Sequence, residues 1–400
     1  MSLAHCVGAR HGPAEGRESL LPPEIERYRG REQSYIKHLF LNKYLEAAAY
    51  KVLQSRRAAP VFNFVDAFAG PWRVSDDEYS DASFSQAIGT LETVRRALTG
   101  MGRAGLKVRY RFCERNPDSA AELGRFAAER QEFDIQVFQG AFEGNIDRIA
   151  AACHDGFTFT FIDPTGWDIE SEKVFAFLRR LNGEFLFNFM AEEINRHATW
   201  DGVSKSFGRF LADPDWEREF RKLPDDWSNE RKVLHLLRTK MKRADIAAYL
   251  PGMAILRPRD SRVKMRLLLG THHALGVEVF RTVQKNVERT AVSTRQDVAV
   301  ERSGQPFLFP NHQIAEIEAQ RDGVGCPGNV NSAADQLLSI VTDRPGIKFT
   351  QLAAEVMEQV PVRTTDLKGI AKEFRKTGQL KFSLPPRKRT PTPTTPIWPA

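Results

Sequence analysis

Cysteine is scarce in this 400-residue sequence, and its placement argues against two kinds of stabilising site. The cysteines contain no C-x-x-C pair and no regular spacing, which disfavours both a zinc site and a disulfide framework. Nine histidines are also scattered, so we expect no metal site. This usage is typical of a reducing compartment, and we expect a cytoplasmic location. The four cysteines are Cys6, Cys113, Cys153 and Cys326.

Long hydrophobic runs are absent as well. The run FTFTFI at 157–162 is far too short to cross a bilayer, and the first thirty residues lack the apolar core of a signal peptide. We therefore expect no membrane partner, and we interpret residues 1–30 as a flexible leader. Hydrophobic residues still make up 42% of the chain, which is enough for a substantial core and excludes a wholly disordered protein.

Positive charge exceeds negative charge, giving a net charge of +7 at pH 7. A basic chain attracts polyanions without specifying one. Two dense basic clusters lie in the second half, RPRDSRVKMR at 257–266 and RKTGQLKFSLPPRKR at 375–389. Each cluster is as consistent with a solvated surface as with a binding patch.

Strand-like and helix-like segments alternate through most of the chain. This alternation predicts an α/β fold with a doubly wound, mostly parallel sheet over residues 31–290. A further strand, turn and helix are predicted over 263–287, after a mainly helical insertion at 205–250. The five earlier strands are predicted at 61–68, 107–114, 134–140, 157–163 and 184–190.

The C-terminal part has a different pattern. A weakly patterned linker at 291–328 precedes three short helices and a short strand, which resemble a winged helix-turn-helix domain over 329–385. The proline-rich end, 386–400, has the composition of a disordered tail.

Three basic residues fall on one face of the third C-terminal helix, at i, i+4 and i+7. Such a stripe can track the phosphates of DNA or RNA. A solvated helix face is the alternative, and winged-helix domains also mediate protein contacts. The three residues are Lys368, Lys372 and Arg375.

Acidic and small residues directly follow the first four predicted strands. In an open parallel sheet, ligands bind beyond the carboxyl ends of the strands. A lone acid there is more often a helix cap or turn former, but four in order fit the S-adenosylmethionine site of class I methyltransferases. The candidates are Asp66, Ala67, Phe68 and Gly70 for the methionyl end, Glu114 for the ribose, Phe142 and Glu143 for the adenine, and Asp163 with Pro164 for catalysis.

The first turn argues against a nicotinamide cofactor. A dinucleotide site needs G-x-G-x-x-G in this turn, whereas only Gly70 is present before Pro71 and Trp72. A nicotinamide-dependent enzyme is therefore the least favoured of the hypotheses.

The turn after the fourth predicted strand suggests a reaction type. Enzymes that methylate exocyclic amines use an acid–Pro–Pro–aromatic turn, in which the acid accepts from the amine. Here Thr165 replaces the second proline, and Trp167 stands one position beyond the usual aromatic. Trp167 and Arg196 are candidates for substrate contact, although a core tryptophan and a structural ion pair explain them equally well.

Several segments occur together and in order that resemble the three-Cys-motif partner protein family (TcmP), methyltransferase-like proteins of bacteria and phages. The resemblance spans about residues 33–290. It implies that the α/β domain is a Rossmann-like, methyltransferase-type sheet, and it implies a functional link to a separate three-cysteine-motif protein. Asp66, Gly70, Glu114, Asp163, Pro164, Gly166, Asn188, Asn195 and Arg196 match the family pattern. The segments are KHLFLNKYL, FVDAFAGPW, FCERNP, FIDPTGWDI, EFLFNFMAEEINRH and LGTHHALGVEVF.

Two departures from that pattern separate two hypotheses. Trp72 stands where the family usually has a glycine, and Ser83-Phe84-Ser85 replaces a G-S-P-like turn. The first hypothesis is an S-adenosylmethionine-dependent methyltransferase acting on a nucleic-acid or nucleotide amine, which the intact acids favour. The second is a non-catalytic adaptor that binds nucleic acid and a three-cysteine partner, which Trp72 favours because it would crowd the cofactor.

Overall fold

The structure is a computed structural model. None of the helices in the part of the chain it describes is long and apolar enough to cross a membrane. The described residues are 25–55, 60–70, 79–164, 166–198, 201–260, 262–304, 310–385 and 387–400.

A seven-stranded sheet forms the centre of the molecule, and it confirms the predicted fold class. Its order is β3-β2-β1-β4-β5-β7-β6, in which β1 to β5 are parallel while β7 is antiparallel to both β5 and β6. This is the strand order of a Rossmann-like methyltransferase sheet. The strands are β1 Val61–Asp66, β2 Lys107–Glu114, β3 Asp134–Gln139, β4 Phe157–Ile162, β5 Gly183–Phe189, β6 Gly252–Leu256 and β7 Val263–Gly270.

Helices cover both faces of this sheet, which is why all six residues of β1 are buried. Helices α1 to α3 and α10 pack on one face, and α4 to α7 with α9 pack on the other. The bounds are α1 Glu32–Leu53, α2 Ser83–Gly100, α3 Pro117–Ala128, α4 Phe142–Ala152, α5 Ser171–Arg179, α6 Ala191–His197, α7 Ser204–Leu211, α8 Trp216–Arg221, α9 Asn229–Arg243 and α10 Ala274–Ser303.

The predicted flexible leader is only partly described, since residues 1–24 lie outside the described residues. The part that is described is ordered, which corrects the prediction for its last residues. Ile25–Tyr28 form a 3₁₀ helix. The Tyr28 side chain is fully buried and donates a hydrogen bond to the Asp81 carbonyl at 3.2 Å. One buried aromatic side chain thus anchors the chain before α1.

The predicted linker at 291–328 is largely helical, which corrects the sequence interpretation. Helix α10 continues to Ser303, and α11 spans Asn311–Asp322. Arg295 Nη2 on α10 lies 2.9 Å from Glu318 Oε2 on α11. Contacts between the two helices thus stabilise a segment whose sequence lacks apolar periodicity. Residues 305–309 lie outside the description.

The C-terminal module has its own core, made by α12, α13, α14 and three short strands. Its sheet order is β8-β10-β9, with β10 antiparallel to both neighbours. The bounds are α12 Pro327–Asp343, β8 Ile347–Lys348, α13 Phe349–Gln359, α14 Thr364–Lys376, β9 Leu380–Lys381 and β10 Pro396–Pro399.

Strand β10 corrects the prediction of a disordered tail at 386–400. Ile397 is fully buried between β8 and β9, and its carbonyl accepts from Gly346 N at 2.8 Å. The proline-rich composition concealed this strand, because a single buried apolar residue contributes little to a composition average. Residue 386 lies outside the described residues.

A buried arginine joins the C-terminal module to the sheet domain. Arg281 on α10 is 1% exposed and donates to the carbonyls of Met357 at 2.6 Å and Glu358 at 3.0 Å, near the end of α13. It also donates to the Gly252 carbonyl of β6 at 3.0 Å and to Gln284 Oε1 at 2.5 Å. Burial lowers the pKa of Arg281 to about 9. The guanidinium therefore links the two parts, because it donates to two main-chain carbonyls of the module and to one of the sheet domain.

Candidate active site

The carboxyl ends of β1 and β4 define a crevice at the centre of the sheet. These two strands are neighbours, but the chain leaves β1 toward α2 on one face and leaves β4 toward α5 on the other. A crevice opens where the connections diverge, and ligands of open α/β sheets bind there. Asp66 ends β1 and Asp163 follows β4, so both predicted acids lie at this point.

Asp66 is a fully buried carboxylate that accepts two hydrogen bonds from the described residues. Ser83 Oγ donates to it at 2.7 Å and Phe68 N donates at 3.2 Å. Burial raises the pKa of Asp66 to about 7; these two hydrogen bonds oppose the rise, and Asp163 adds to it. Ser83, the first residue of the Ser83-Phe84-Ser85 departure from the family pattern, thus hydrogen-bonds directly to the acid predicted for the methionyl end.

The loop after β1 is tied to both neighbouring strands. Ala67 N donates to the Phe161 carbonyl of β4 at 3.0 Å, and Ala69 N donates to the Cys113 carbonyl of β2 at 2.9 Å. Phe68 and Gly70 are half-buried on this loop. Trp72, on which the adaptor hypothesis depended, lies outside the described residues.

Glu114 ends β2, next to β1, and it is 4% exposed. Its Oε1 accepts from Asn116 N at 2.5 Å. Asn116 caps α3 by accepting from Asp118 N and Ser119 N, and Pro117 takes the first helical position. This tight strand-to-helix turn holds the carboxylate at the sheet edge, where it was predicted to meet a ribose.

The residues predicted to hold an adenine lie at the start of α4. Phe142 is 2% exposed and packs edge-on against Phe177, with ring centroids 5.1 Å apart. The ring centroid of Phe68 lies 6.3 Å from that of Phe142, and the Phe68 ring is more exposed than the Phe142 ring. Glu143 accepts from Glu170 N at 3.1 Å. The Phe142 ring thus belongs to the core, and Phe68 offers the more accessible aromatic surface.

Asp163 lies in a polar cluster that sequence reasoning only partly anticipated. Lys37 of α1 forms an ion pair with Asp163 Oδ2, and Asn188 Nδ2 at the end of β5 donates to Oδ1 at 2.6 Å. Pro164 is buried beside them. Lys37 was not among the predicted site residues, although a lysine within the buried run Ile36–Leu41 was the available signal.

Trp167 and Arg196 both make structural contacts. The Trp167 indole donates to Ser206 Oγ at 3.0 Å, and its ring stacks on Phe207 of α7 with centroids 5.0 Å apart. Arg196 is exposed on α6 and pairs with Glu192 at 3.1 Å. Their predicted contact with a substrate stays a prediction.

The basic cluster at 257–266 and the basic stripe on α14 differ in their surroundings. In the β6–β7 hairpin at 257–266, most cations are paired with acids: Lys264 lies 2.7 Å from Glu192, and Arg262 lies 2.8 Å from Asp260. On α14, the described residues include no carboxylate paired with Lys368, Lys372 or Arg375; the Arg375 guanidinium lies 5.2 Å from the Phe382 ring centroid. Among the described residues, the charges of these three α14 cations are therefore not compensated by a carboxylate.

No family model and no curated protein matches this chain. Solved structures do match, at low identity. An O-methyltransferase from Bacillus cereus in complex with SAH is 10% identical, with a TM-score of 0.30, over 58% of this chain and 80% of that one. A putative caffeoyl-CoA O-methyltransferase from Staphylococcus aureus is 12% identical (TM-score 0.29; 62% and 92%), and loganic acid methyltransferase with SAH is 11% identical (0.30; 77% and 92%). These TM-scores are too low to support a fold assignment. The assignment therefore rests on the strand order of the sheet.

Proposed function

We propose that this protein is an S-adenosylmethionine-dependent methyltransferase. The observation that carries the proposal is the fully buried carboxylate of Asp66 at the diverging ends of β1 and β4, with Glu114 on the adjacent strand. When bound, S-adenosylmethionine supplies an electrophilic methyl group. The chain's own task is then to align an acceptor in a crevice that excludes water.

The residues at the sheet edge fit this cofactor. A buried carboxylate is costly unless it meets a cation, and S-adenosylmethionine has a cationic ammonium that Asp66 can pair with. Glu114 can accept hydrogen bonds from two ribose hydroxyls. Phe68 and Gly70 are half-buried on the loop that directly follows Asp66. Asp163 would orient the acceptor, which the sequence predicts to be an amine of a nucleotide or nucleic acid.

Calorimetric titration with S-adenosylmethionine and S-adenosylhomocysteine tests the proposal. We expect micromolar binding to the unaltered protein and a loss of about 10- to 100-fold in Glu114→Ala, because hydrogen bonds to a charged group are removed. Glu132→Ala changes an exposed glutamate and should bind normally. The absence of binding at millimolar ligand, or unchanged binding by Glu114→Ala, would contradict the proposal.

Cofactor affinity should rise with pH, because Asp66 must ionise to pair with the ligand ammonium. With a pKa of about 7, the ionised fraction of Asp66 increases about eightfold between pH 6 and pH 7.5. The dissociation constant for S-adenosylhomocysteine should fall by the same factor. Calorimetry in buffers of different ionisation enthalpy should detect proton release on binding below pH 7. A constant affinity over this range would mean that Asp66 does not contact the charged end.

A second candidate function is the non-catalytic adaptor, and one observation favours its nucleic-acid part. The uncompensated stripe of Lys368, Lys372 and Arg375 on α14 contrasts with the neutralised hairpin. The element order of the module and its β8-β10-β9 sheet support our interpretation of a winged-helix domain. The three-cysteine-motif partner is proposed on the sequence resemblance alone.

The stripe makes a salt-dependent prediction. Lys372→Ala with Arg375→Ala should weaken binding to short duplex DNA or RNA and reduce the slope of log affinity against log salt by about 1 to 2. Arg262→Ala, in which the lost cation was paired with Asp260, is the matched control. Fluorescence anisotropy at several salt concentrations measures the affinity and its salt dependence for the unaltered protein and for both variants. Equal slopes for all three proteins would refute the nucleic-acid role of α14.

A further inference from the structure

Lys37 is a buried lysine whose ammonium is only partly hydrogen-bonded. The residue is 8% exposed. Its Nζ carries three protons, yet Asp163 is its one hydrogen-bond partner among the described residues. Two N–H donors of Lys37 therefore have no protein partner there. Buried donors are normally satisfied, so this ammonium is suited to a ligand.

Asn188 supplies an unused acceptor in the same cluster. Its Nδ2 donates to Asp163 Oδ1, and this fixes the orientation of the amide because a carboxylate can only accept. Asn188 is 1% exposed, and its Oδ1 has no partner within the described part of the chain. The cluster thus combines unused donors on Lys37 with one unused acceptor on Asn188.

This combination distinguishes an oxygen acceptor from an amine. An oxygen has at least two lone pairs, so it can accept from Lys37 and keep another lone pair for reaction. A neutral amine has a single lone pair, which a hydrogen bond from Lys37 would occupy. The unused N–H donors of Lys37 therefore disfavour the predicted amine as the acceptor.

We propose that Lys37 and Asn188 form a subsite for the oxygen of a hydroxyl or oxyanion acceptor. A hydroxyl in this subsite accepts a hydrogen bond from Lys37 Nζ and donates one to Asn188 Oδ1. That this oxygen accepts a methyl group rests on the proposed methyltransferase function. The preference for oxygen over nitrogen rests on the Lys37 and Asn188 side chains. Lys37 also brings positive charge beside the oxygen and favours its ionised form; this charge-assisted interaction outweighs the opposing preference of Asn188 Oδ1 for the protonated hydroxyl.

Two ring compounds of nearly equal shape test the preference, 4-nitrophenol and 4-nitroaniline. Their absorbance is titrated with protein, with and without S-adenosylhomocysteine. We expect 4-nitrophenol to bind with its pKa lowered by about one unit, and 4-nitroaniline to bind at least about tenfold more weakly. Lys37→Met should abolish the pKa shift of the phenol, Lys37→Arg should retain it in part, and Lys51→Met, an exposed lysine on the same helix, should leave it unchanged.

The outcomes separate this inference from the proposed function. Equal binding of the two probes, binding of 4-nitrophenol that is unaffected in Lys37→Met, or no binding of it at millimolar concentration overturns the subsite. If S-adenosylhomocysteine still binds in that case, the methyltransferase proposal stands alone. If 4-nitrophenol binds selectively but S-adenosylhomocysteine does not, the oxygen subsite stands and the cofactor proposal fails. The comparison of probes in the unaltered protein needs no variant, so a folding defect cannot obscure it.

Discussion

Replacing Asp66 with asparagine should stabilise the protein at pH 8 while removing most of its affinity for S-adenosylmethionine. Asparagine keeps the size of the side chain, and the Ser83 hydroxyl can either donate to it or accept from it. The variant lacks only the negative charge. We expect the dissociation constant to rise at least about 100-fold, because the ligand ammonium loses its buried counter-charge.

The stabilisation follows from the raised pKa of Asp66. The carboxyl ionises near 3.8 in an ordinary environment and near 7 in the folded protein. Between these values the folded state holds the extra proton, so stability falls as pH rises through the window. At pH 8 the buried charge costs on the order of 2–4 kcal/mol, which Asp66→Asn avoids.

Thermal unfolding at pH 8 and pH 5 measures this difference. The gain in unfolding midpoint for Asp66→Asn should be largest at pH 8 and shrink at pH 5, where Asp66 is already protonated. Asp226→Asn, at an exposed position, should change neither stability nor binding. A destabilised Asp66→Asn protein would indicate that the carboxylate serves the fold, whereas stabilisation with loss of binding is the signature of a ligand site.

Replacing Arg281 with alanine should have the largest effect on stability. The change leaves the carbonyls of Met357, Glu358 and Gly252 without their donor in a buried interface. We expect a loss of about 3–5 kcal/mol, concentrated on the docking of the C-terminal module. Differential scanning calorimetry should then resolve two transitions, because the module and the sheet domain have separate cores.

The control for this prediction lies on the same helix. Arg289 is exposed on α10, and Arg289→Ala should unfold like the unaltered protein. Arg281→Lys keeps the charge but has fewer hydrogen-bond donors in a different geometry. Its stability should therefore lie between those of Arg281→Ala and the unaltered protein. A single transition with an unchanged midpoint in Arg281→Ala would mean that apolar contacts alone hold the module in place.

The sheet was predictable because its parallel strands are buried on both faces. The run at 61–66 is mainly apolar, and at 107–114 the apolar Val108, Tyr110 and Phe112 recur at every second position; both runs are short and followed by turn residues, so their position and type could be read directly. Strand β6, with five residues, was not predicted, since its pairing with β7 depends on a hairpin rather than on its own pattern. Strand β10 was concealed for a different reason: its segment is rich in proline, and the single buried Ile397 contributes little to a composition average.

The candidate site was predictable only where a residue directly follows a strand. Asp66, Glu114 and Asp163 lie at strand ends, so the topology alone brings them to one edge of the sheet. Lys37 reaches that edge from α1, more than 120 residues earlier than Asp163 in the chain. No spacing rule connects the two, and only the packing of α1 on the sheet reveals the pair.

A crystal structure grown with S-adenosylhomocysteine tests the central claim most directly. The account predicts that the ligand lies across the carboxyl ends of β1 and β2, with its ammonium paired to Asp66 and its ribose hydroxyls within hydrogen-bonding distance of Glu114. It also predicts that Lys37 remains paired with Asp163 beside the homocysteine sulfur. A ligand bound away from this edge, or no ligand there at saturating concentration, would contradict the account.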